Sequence, residues 1–340
     1  MPRKFLYTLH ALVSNYSSNL VTHLLRDGAG AWSVIENITA GPTSNNLSSI
    51  ACNIQGSRVL FANYPSGTVV PLGFSGSTWV PGAPVSALGG GNISAVAMSD
   101  DGKHSLASGD FTADVSPFEF DDSSGLWVAQ APVVLPSSHL NTVGMSRDGS
   151  RAMAVPKYDD AAYPLFRNPG TGTWTAGSGM PINVSSERFF SAGFSHDGDT
   201  VVVASNYASS DSDGFVWNGS GWDHVAVPFS LNSTSWRPDG LSVLGGNGAG
   251  APGSITAINY DPVSHVFSSG QVISVPGSGI ALKTALANDG IGDAGLVADF
   301  TRSQVFPLDY SRSTGLWSLG DPITSLLFSN PWNILVFPVW

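Results

Sequence analysis

Phe190-Ser191-Ala192-Gly193-Phe194-Ser195-His196-Asp197-Gly198-Asp199-Thr200-Val201-Val202-Val203-Ala204 reads as an apolar run, an Asp-Gly turn and a second apolar run. Asp-Gly between two β-rich runs is a strong hairpin signal. Further along, Asn218-Gly219-Ser220-Gly221 is a second turn, and Trp222 after it opens another strand. Asn and Gly tolerate the backbone that such a turn needs. The unit is therefore strand, Asp-Gly turn, strand, variable loop, strand, Gly-x-Trp turn, strand. Four antiparallel strands per unit make the blade of a β-propeller.

The unit recurs along the chain. Trp32, Trp79, Trp127, Trp174, Trp222 and Trp317 are separated by 47, 48, 47, 48 and 95 residues, and Phe267 fills the double gap. Asp-Gly turns run in step at Asp101-Gly102, Asp148-Gly149, Asp197-Gly198, Asp239-Gly240 and Asp289-Gly290, with Asn53-Ile54-Gln55-Gly56 as a worn copy. A period of 40 to 50 residues marks a propeller or a solenoid. Seven aromatic turns face only six Asp-Gly turns, so one first strand is missing from the interior of the chain. The C-terminal run Trp332 to Trp340 supplies it, Lys4 to His10 enters as a second strand, and Asn19 to Arg26 follows as a third. Such closure removes two exposed sheet edges. The expected fold is an all-β, seven-bladed propeller of four-stranded antiparallel blades. It is one domain, 1–340, with blade one shared between about 1–38 and 331–340.

Phe194-Ser195-His196-Asp197-Gly198-Asp199-Thr200-Val201-Val202-Val203-Ala204-Ser205 resembles the strand-turn-strand of WD40-like propellers of the TolB type. The resemblance spans nearly the whole chain as degenerate copies. It implies the fold and says little about activity. The Trp-Asp dipeptide of true WD40 repeats is absent at the expected place.

Composition narrows the function classes. Charged residues are 11% of the chain and the net charge is −11, with no run of lysine or arginine. Nucleic-acid binding needs a basic footprint, so no nucleic-acid partner is expected. No apolar stretch approaches the ~20 residues of a membrane span, so no membrane insertion is expected. Polar Thr8, His10, Ser14 and Asn15 interrupt the N-terminal apolar run, a poor fit to a signal peptide. Cys52 is the single cysteine, which rules out an internal disulfide and CxxC zinc sites and suits a small core residue.

Individual motifs stay weak. Asp211-Ser212-Asp213-Gly214 resembles half a calcium loop, but Trp222 stands where the distal Glu is needed. The seven histidines are scattered, with no HExxH. Ser146 and Ser195 lack a nucleophile elbow and belong to the Asp-Gly hairpins. Asp121-Asp122 and Asp159-Asp160 suit solvated turns better than a catalytic pair. No catalytic residue, metal site or cofactor is expected. Tyr64, Tyr158, Tyr163 and Tyr207 follow second strands, in loops that gather on one face. Tyr158, Tyr163 and Tyr207 are the candidate interaction residues, since loops on a rigid scaffold are where binding concentrates.

Low charge, abundant Gly and Ser, an all-β pattern and no chemical signature point to a non-catalytic structural or attachment component of a virus particle, such as a phage tail. Its partners would be other virion proteins or a host surface glycan or receptor, within a larger assembly. It would be located in the virion, assembled in the host cytoplasm; a secreted or cell-surface location is the alternative. A sugar-binding propeller lectin is the second reading, and a glycan-active enzyme the third. Lectin sites should repeat, yet Gly109 to Ser116, Lys157 to Tyr163 and Asn206 to Gly214 share little.

Overall fold

The computed structural model describes residues 8–16, 18–40, 46–87, 91–137, 139–182, 189–205, 211–247, 253–277, 282–287, 293–325, 328 and 330–339. Among these residues the strands form seven antiparallel sheets, joined by one short 3-10 turn and no α-helix. The innermost strands Leu47–Cys52, Asn92–Met98, Leu140–Met145, Phe189–Phe194, Ser235–Trp236 and Leu282–Leu286 follow one another around a central channel. The seventh is Pro331–Val339. It pairs antiparallel with Thr8–Asn15, from Thr8↔Val339 to Ser14↔Asn333. Leu20–Arg26 and Trp32–Thr39 complete that sheet, blade one. The expected ring closure is in place. The described part of blade one's second strand, Thr8–Asn15, runs past His10, where the Lys4 to His10 expectation ends; residues 4–7 lie outside the described residues. The Asp289-Gly290 turn lies outside them as well.

The repeated aromatics do what their spacing implies. Each wedges into the interface with the preceding blade. Trp79 packs with Leu12, Val21 and Phe337 of blade one. Trp127 packs with Leu60, Ala62 and Val69 of blade two. Trp174 meets Leu106 and Val115 of blade three, and Phe267 meets Val202 and Val216 of blade five. Trp32 closes the circle against Leu296 and Val305 of blade seven. Trp222 is half-buried at the same place, on Val201 and Met153. Flat apolar rings suit this position because two twisted sheets leave a wedge-shaped gap that must be filled to native density.

The Asp-Gly turns form a second ring. Ser99 Oγ donates to Asp101 at 2.6 Å and accepts the His104 amide at 3.1 Å. Ser146 repeats this with Asp148 and the Arg151 amide, and Ser195 with Asp197 and the Thr200 amide. These serines are structural, as expected. Neighbouring turns also bond directly: the Ile54 amide donates to Asp100 O, and the Asp100 amide to Arg147 O at 2.7 Å. Gly149 has φ +68°, and a Cβ there would lie 2.9 Å from His104 Cδ2 and 3.0 Å from Ser99 Cβ of the blade before. Close blade approach, as well as the turn, demands glycine.

One departure from the simple repeat has a clear cause. In blades two, three and four the outer strand is split, as Trp79–Pro81 then Val85–Ser86. Pro71, Pro117 and Pro164 sit in the adjoining third strands. Their carbonyls accept from Gly82, Gln130 and Gly177 on the outer side, so the missing proline amide faces that side too. Pairing lapses for lack of a donor.

Blade one carries a buried histidine pair. His10 Nδ1 lies 2.9 Å from His23 Nε2, and His23 Nδ1 lies 3.2 Å from Glu36 Oε1. Phe74, Trp79 and Phe337 surround the rings. Burial, and then the neighbouring His23, push His10 from 6.5 down to about 4.

Two outcomes are expected. Trp127→Ala and Trp174→Ala should each cost roughly 3–5 kcal/mol in denaturant unfolding, whereas a loss below ~1 kcal/mol would place these rings outside the core. For the histidine pair, the unfolded chain takes up a proton at His10 that the fold refuses. Stability is then full above pH 6.5 and falls as pH drops towards 4. His10→Gln should flatten the dependence of the denaturation midpoint on pH across that window.

Candidate active site at the mouth of the central channel

Antiparallel alternation puts the described Asp-Gly and Gly-x-aromatic turns on one face of the ring. The loops after second strands gather on the other face, and there the channel widens into a cavity of about 390 Å³. The residues at the ends of four successive second strands point chemistry into it: Tyr16, Tyr64, Asp110 and Lys157. These are nearly equivalent positions of blades one to four, spaced 48, 46 and 47 residues apart. The inner strands add Ser48, Ser94, Asn141 and Thr142, and Trp332 and Asn333 of the closing strand.

Asp110 is the hub, with its side chain 4% exposed. Oδ2 accepts from Tyr64 Oη at 2.9 Å and from Lys157 Nζ at 3.3 Å. Oδ1 accepts the Phe111 amide at 3.1 Å, and His139 Nδ1 stands 3.5 Å away without a hydrogen bond. Burial, and then the hydrogen bond to Asp110, raise the Tyr64 phenol, so it stays protonated and donates. The opposite wall is aromatic. Tyr16 and Trp332 stand 5.1 Å apart between ring centroids, with Phe300 behind both.

Lys283, near the start of an inner strand, belongs to this cavity and to a second of about 250 Å³ deeper in the channel. What surface it exposes is channel surface. Its Nζ donates to Asn232 O at 2.9 Å and lies 5.9 Å from the Trp332 ring. Desolvation lowers it to about 7, so near neutral pH part of it is a neutral amine. The chain has four lysines, and two of them, Lys157 and Lys283, line this one cavity of an acidic protein. Cys52 lines the deeper cavity, where burial pushes its thiol up to about 12 and makes it a poor nucleophile. Among the described residues no group of three His, Cys, Asp or Glu is placed to hold a metal ion.

The tyrosines singled out in the sequence part company. Tyr158 is exposed on the cavity rim, 5.4 Å from Lys157 Nζ. Tyr163 is 7% exposed within the blade-three-to-four core, leaving little surface for a partner. Tyr207 lies outside the described residues. Tyr64 lines the cavity. The Asp121-Asp122 pair sits on the opposite, turn-bearing face: Ser124 and Ser123 hold Asp121 down to about 2, and Asp122 pairs with Lys103 and Arg58. Ser212 and Asp213 form no calcium loop or loop tip. They lie in a third strand, where Asp213 is buried and meets His224 at 2.6 Å. Asp110, Lys157, Lys283 and Trp332 escaped the sequence reading. For Asp110 and Lys157 the available signal was the repeat itself, since charged and aromatic residues replace one another at the blade position shared with Tyr16 and Tyr64; Lys283 and Trp332 stand on inner strands and gave none.

Neither a family model nor any curated protein matches the sequence. Solved structures do. A Bacteroides fragilis protein described as a candidate 6-phosphogluconolactonase superposes with a TM-score of 0.78 at 15% identity, covering 99% of each chain. A periplasmic gluconolactonase of Pseudomonas aeruginosa gives 0.78 at 17% identity over 98% of this chain and 100% of that one. A second candidate 6-phosphogluconolactonase, from Bacteroides uniformis, gives 0.77 at 14% over 97% and 99%. At these identities the likeness establishes the seven-bladed fold alone. It nevertheless corrects the expectation of a non-catalytic virion component, and with it the expectation that the protein is no enzyme: these neighbours are named for hydrolytic activities. The physical reason for the error is plain. Low charge and abundant Gly and Ser follow from packing seven sheets around a channel, whatever the channel does.

Replacing Asp110 by Asn should strand Lys157 beside an uncharged amide in a largely buried site. A loss of about 3–5 kcal/mol in unfolding free energy is expected. A stability change near zero would show that the Asp110–Lys157 contact is screened by water.

Proposed function

We propose that this propeller is a lactone hydrolase acting on a small sugar-acid lactone at the mouth of its channel. The observation that carries the reading is the convergence of Asp110, Tyr64, Lys157 and Lys283 from separate blades onto one hydroxyl-lined cavity. A cavity of this size, with a few convergent polar groups and one perturbed base, has the form of a small-molecule site. The names carried by the structural neighbours point the same way.

Opening a lactone needs a base for water, a cation or donor for the carbonyl oxygen, and a proton for the leaving alkoxide. Lys283, part of it a neutral amine near pH 7, takes the proton from water. The water oxygen then attacks the carbonyl carbon. Lys157, anchored on Asp110, donates a remaining N–H towards the oxyanion that develops, while Tyr64, whose single O–H is given to Asp110, holds that carboxylate in place. As the ring C–O bond breaks, the proton on Lys283 passes to the departing ring oxygen, restoring the amine. Ser48, Ser94, Asn141 and Thr142 are placed to bond the sugar hydroxyls.

The test is hydrolysis of glucono-1,5-lactone, followed by proton release and corrected for the spontaneous rate. Turnover should fall on the acid side of a limb near pH 7, where Lys283 is protonated. Lys283→Met should remove that limb and lower kcat by about 10²–10⁴-fold. A variant with wild-type kcat and an unchanged pH profile would exclude Lys283 as the base.

A further inference from the structure

Three rings stand on the rim of the cavity, just outside its charged groups. Phe111 follows Asp110, Tyr158 follows Lys157, and His139 lies between them. The His139 ring is 5.0 Å from Phe111, at 74°, and 5.5 Å from Tyr158, at 73°. Phe111 is 62% exposed and Tyr158 48%. The rim is tied to the cavity: the Phe111 amide caps Asp110 Oδ1, and the Lys157 amide donates to His139 O at 2.8 Å.

The hairpin turn accounts for a left-handed residue after Asp110, but not for a bulky apolar ring at that position. Phe111 has φ +70° and His139 φ +61°, the left-handed region that glycine favours and bulky residues avoid. Phe111 accepts that strain in order to hold an apolar ring in water. Strained backbone beside a cavity is a signature of a site shaped for a ligand.

We infer that Phe111, His139 and Tyr158 form a stacking subsite for a second sugar ring, linked to the lactone ring held in the cavity, so that the substrate is the lactone of a disaccharide acid. The inference rests on the lactone-hydrolase reading above. Phe111, His139 and Tyr158 are not among the residues that line the cavity, so a single ring held by Ser48, Ser94 and Asn141 does not account for them. A sugar ring attached to its outward side reaches the rim, and the C–H face of a pyranose packs well on an aromatic ring, whose polar tips at Tyr158 and His139 serve its hydroxyls. A phosphate at the same place would fare worse. The residues after Tyr158 are the acids Asp159 and Asp160, which repel an anion there.

The experiment compares glucono-1,5-lactone with cellobiono-1,5-lactone, corrected for spontaneous hydrolysis, in wild type, Phe111→Gly and Tyr158→Ala. Wild type should favour the disaccharide lactone at least 10-fold in kcat/KM, mainly through KM. Each substitution should lower that preference several-fold, while Tm in Phe111→Gly holds or rises because glycine relieves the positive φ. Equal kcat/KM for the two substrates in wild type overturns the inference. So does a preference that survives both substitutions combined, or a loss of Tm in Phe111→Gly with the preference intact. If neither lactone is hydrolysed, the hydrolase reading fails on its own. Calorimetric titration with cellobionate and gluconate then tests the subsite alone: tighter cellobionate binding, lost in Phe111→Gly, sustains it, and equal binding by the two acids overturns it.

Discussion

The packing of one aromatic ring into each gap between blades is the interaction on which the rest of the molecule depends. A single four-stranded sheet cannot bury both of its faces. Seven sheets in a circle can, provided that something fills each wedge between them. Trp79, Trp127, Trp174 and Phe267, at 4–8% exposure, do so against the blade before. Trp32 does the same across the closure, against the last blade. Without these rings the inner strands would not hold their spacing, and the channel would lose its shape. The ring of Asp-Gly turns, bonded from Ile54 to Asp100 and from Asp100 to Arg147, fixes the same spacing at the turn-bearing face.

That rigidity permits the chemistry at the opposite face. Asp110 gathers a phenol, an ammonium and a backbone amide from three blades. Holding such a cluster nearly dry is costly unless the scaffold fixes each partner. Blades locked at their inner edges do fix them, and leave the loops free to differ. Phe111 and His139 carry the cost furthest, in backbone conformations that the surrounding structure must impose. Strain and exposure at one rim, beside a well-packed ring, follow the usual division between scaffold and site.

The fold was legible because its determinants are local and repeated. A tryptophan every 47 or 48 residues, an Asp-Gly turn in step with it and a terminal strand without a neighbour are statements about spacing. Spacing survives in a linear chain. Even the split outer strands have a local cause, in Pro71, Pro117 and Pro164. The second strand of blade one runs on to Asn15, past the expected end at His10, because apolar residues continue through Val13.

The site was not legible in the same way. Tyr64 was noticed only as a loop tyrosine, and Tyr163 looked equivalent to Tyr158 although one is buried and the other is not. Asp110, Lys157 and Lys283 carry no motif, since they come from different blades and meet only when the ring closes. The sequence by itself determined the number of blades, the closure through the C-terminal strand and the structural duty of Ser146 and Ser195, because each rests on contacts within a repeat or between adjacent ones. Only the tertiary structure decided that Asp110 is buried among Tyr64 and Lys157, that Lys283 is desolvated in the channel, and that Phe111 stands exposed beside them. Those properties depend on what a closed ring packs around its axis: the repeat places Asp110 and Lys157 at equivalent blade positions, but spacing along the chain encodes neither burial nor exposure.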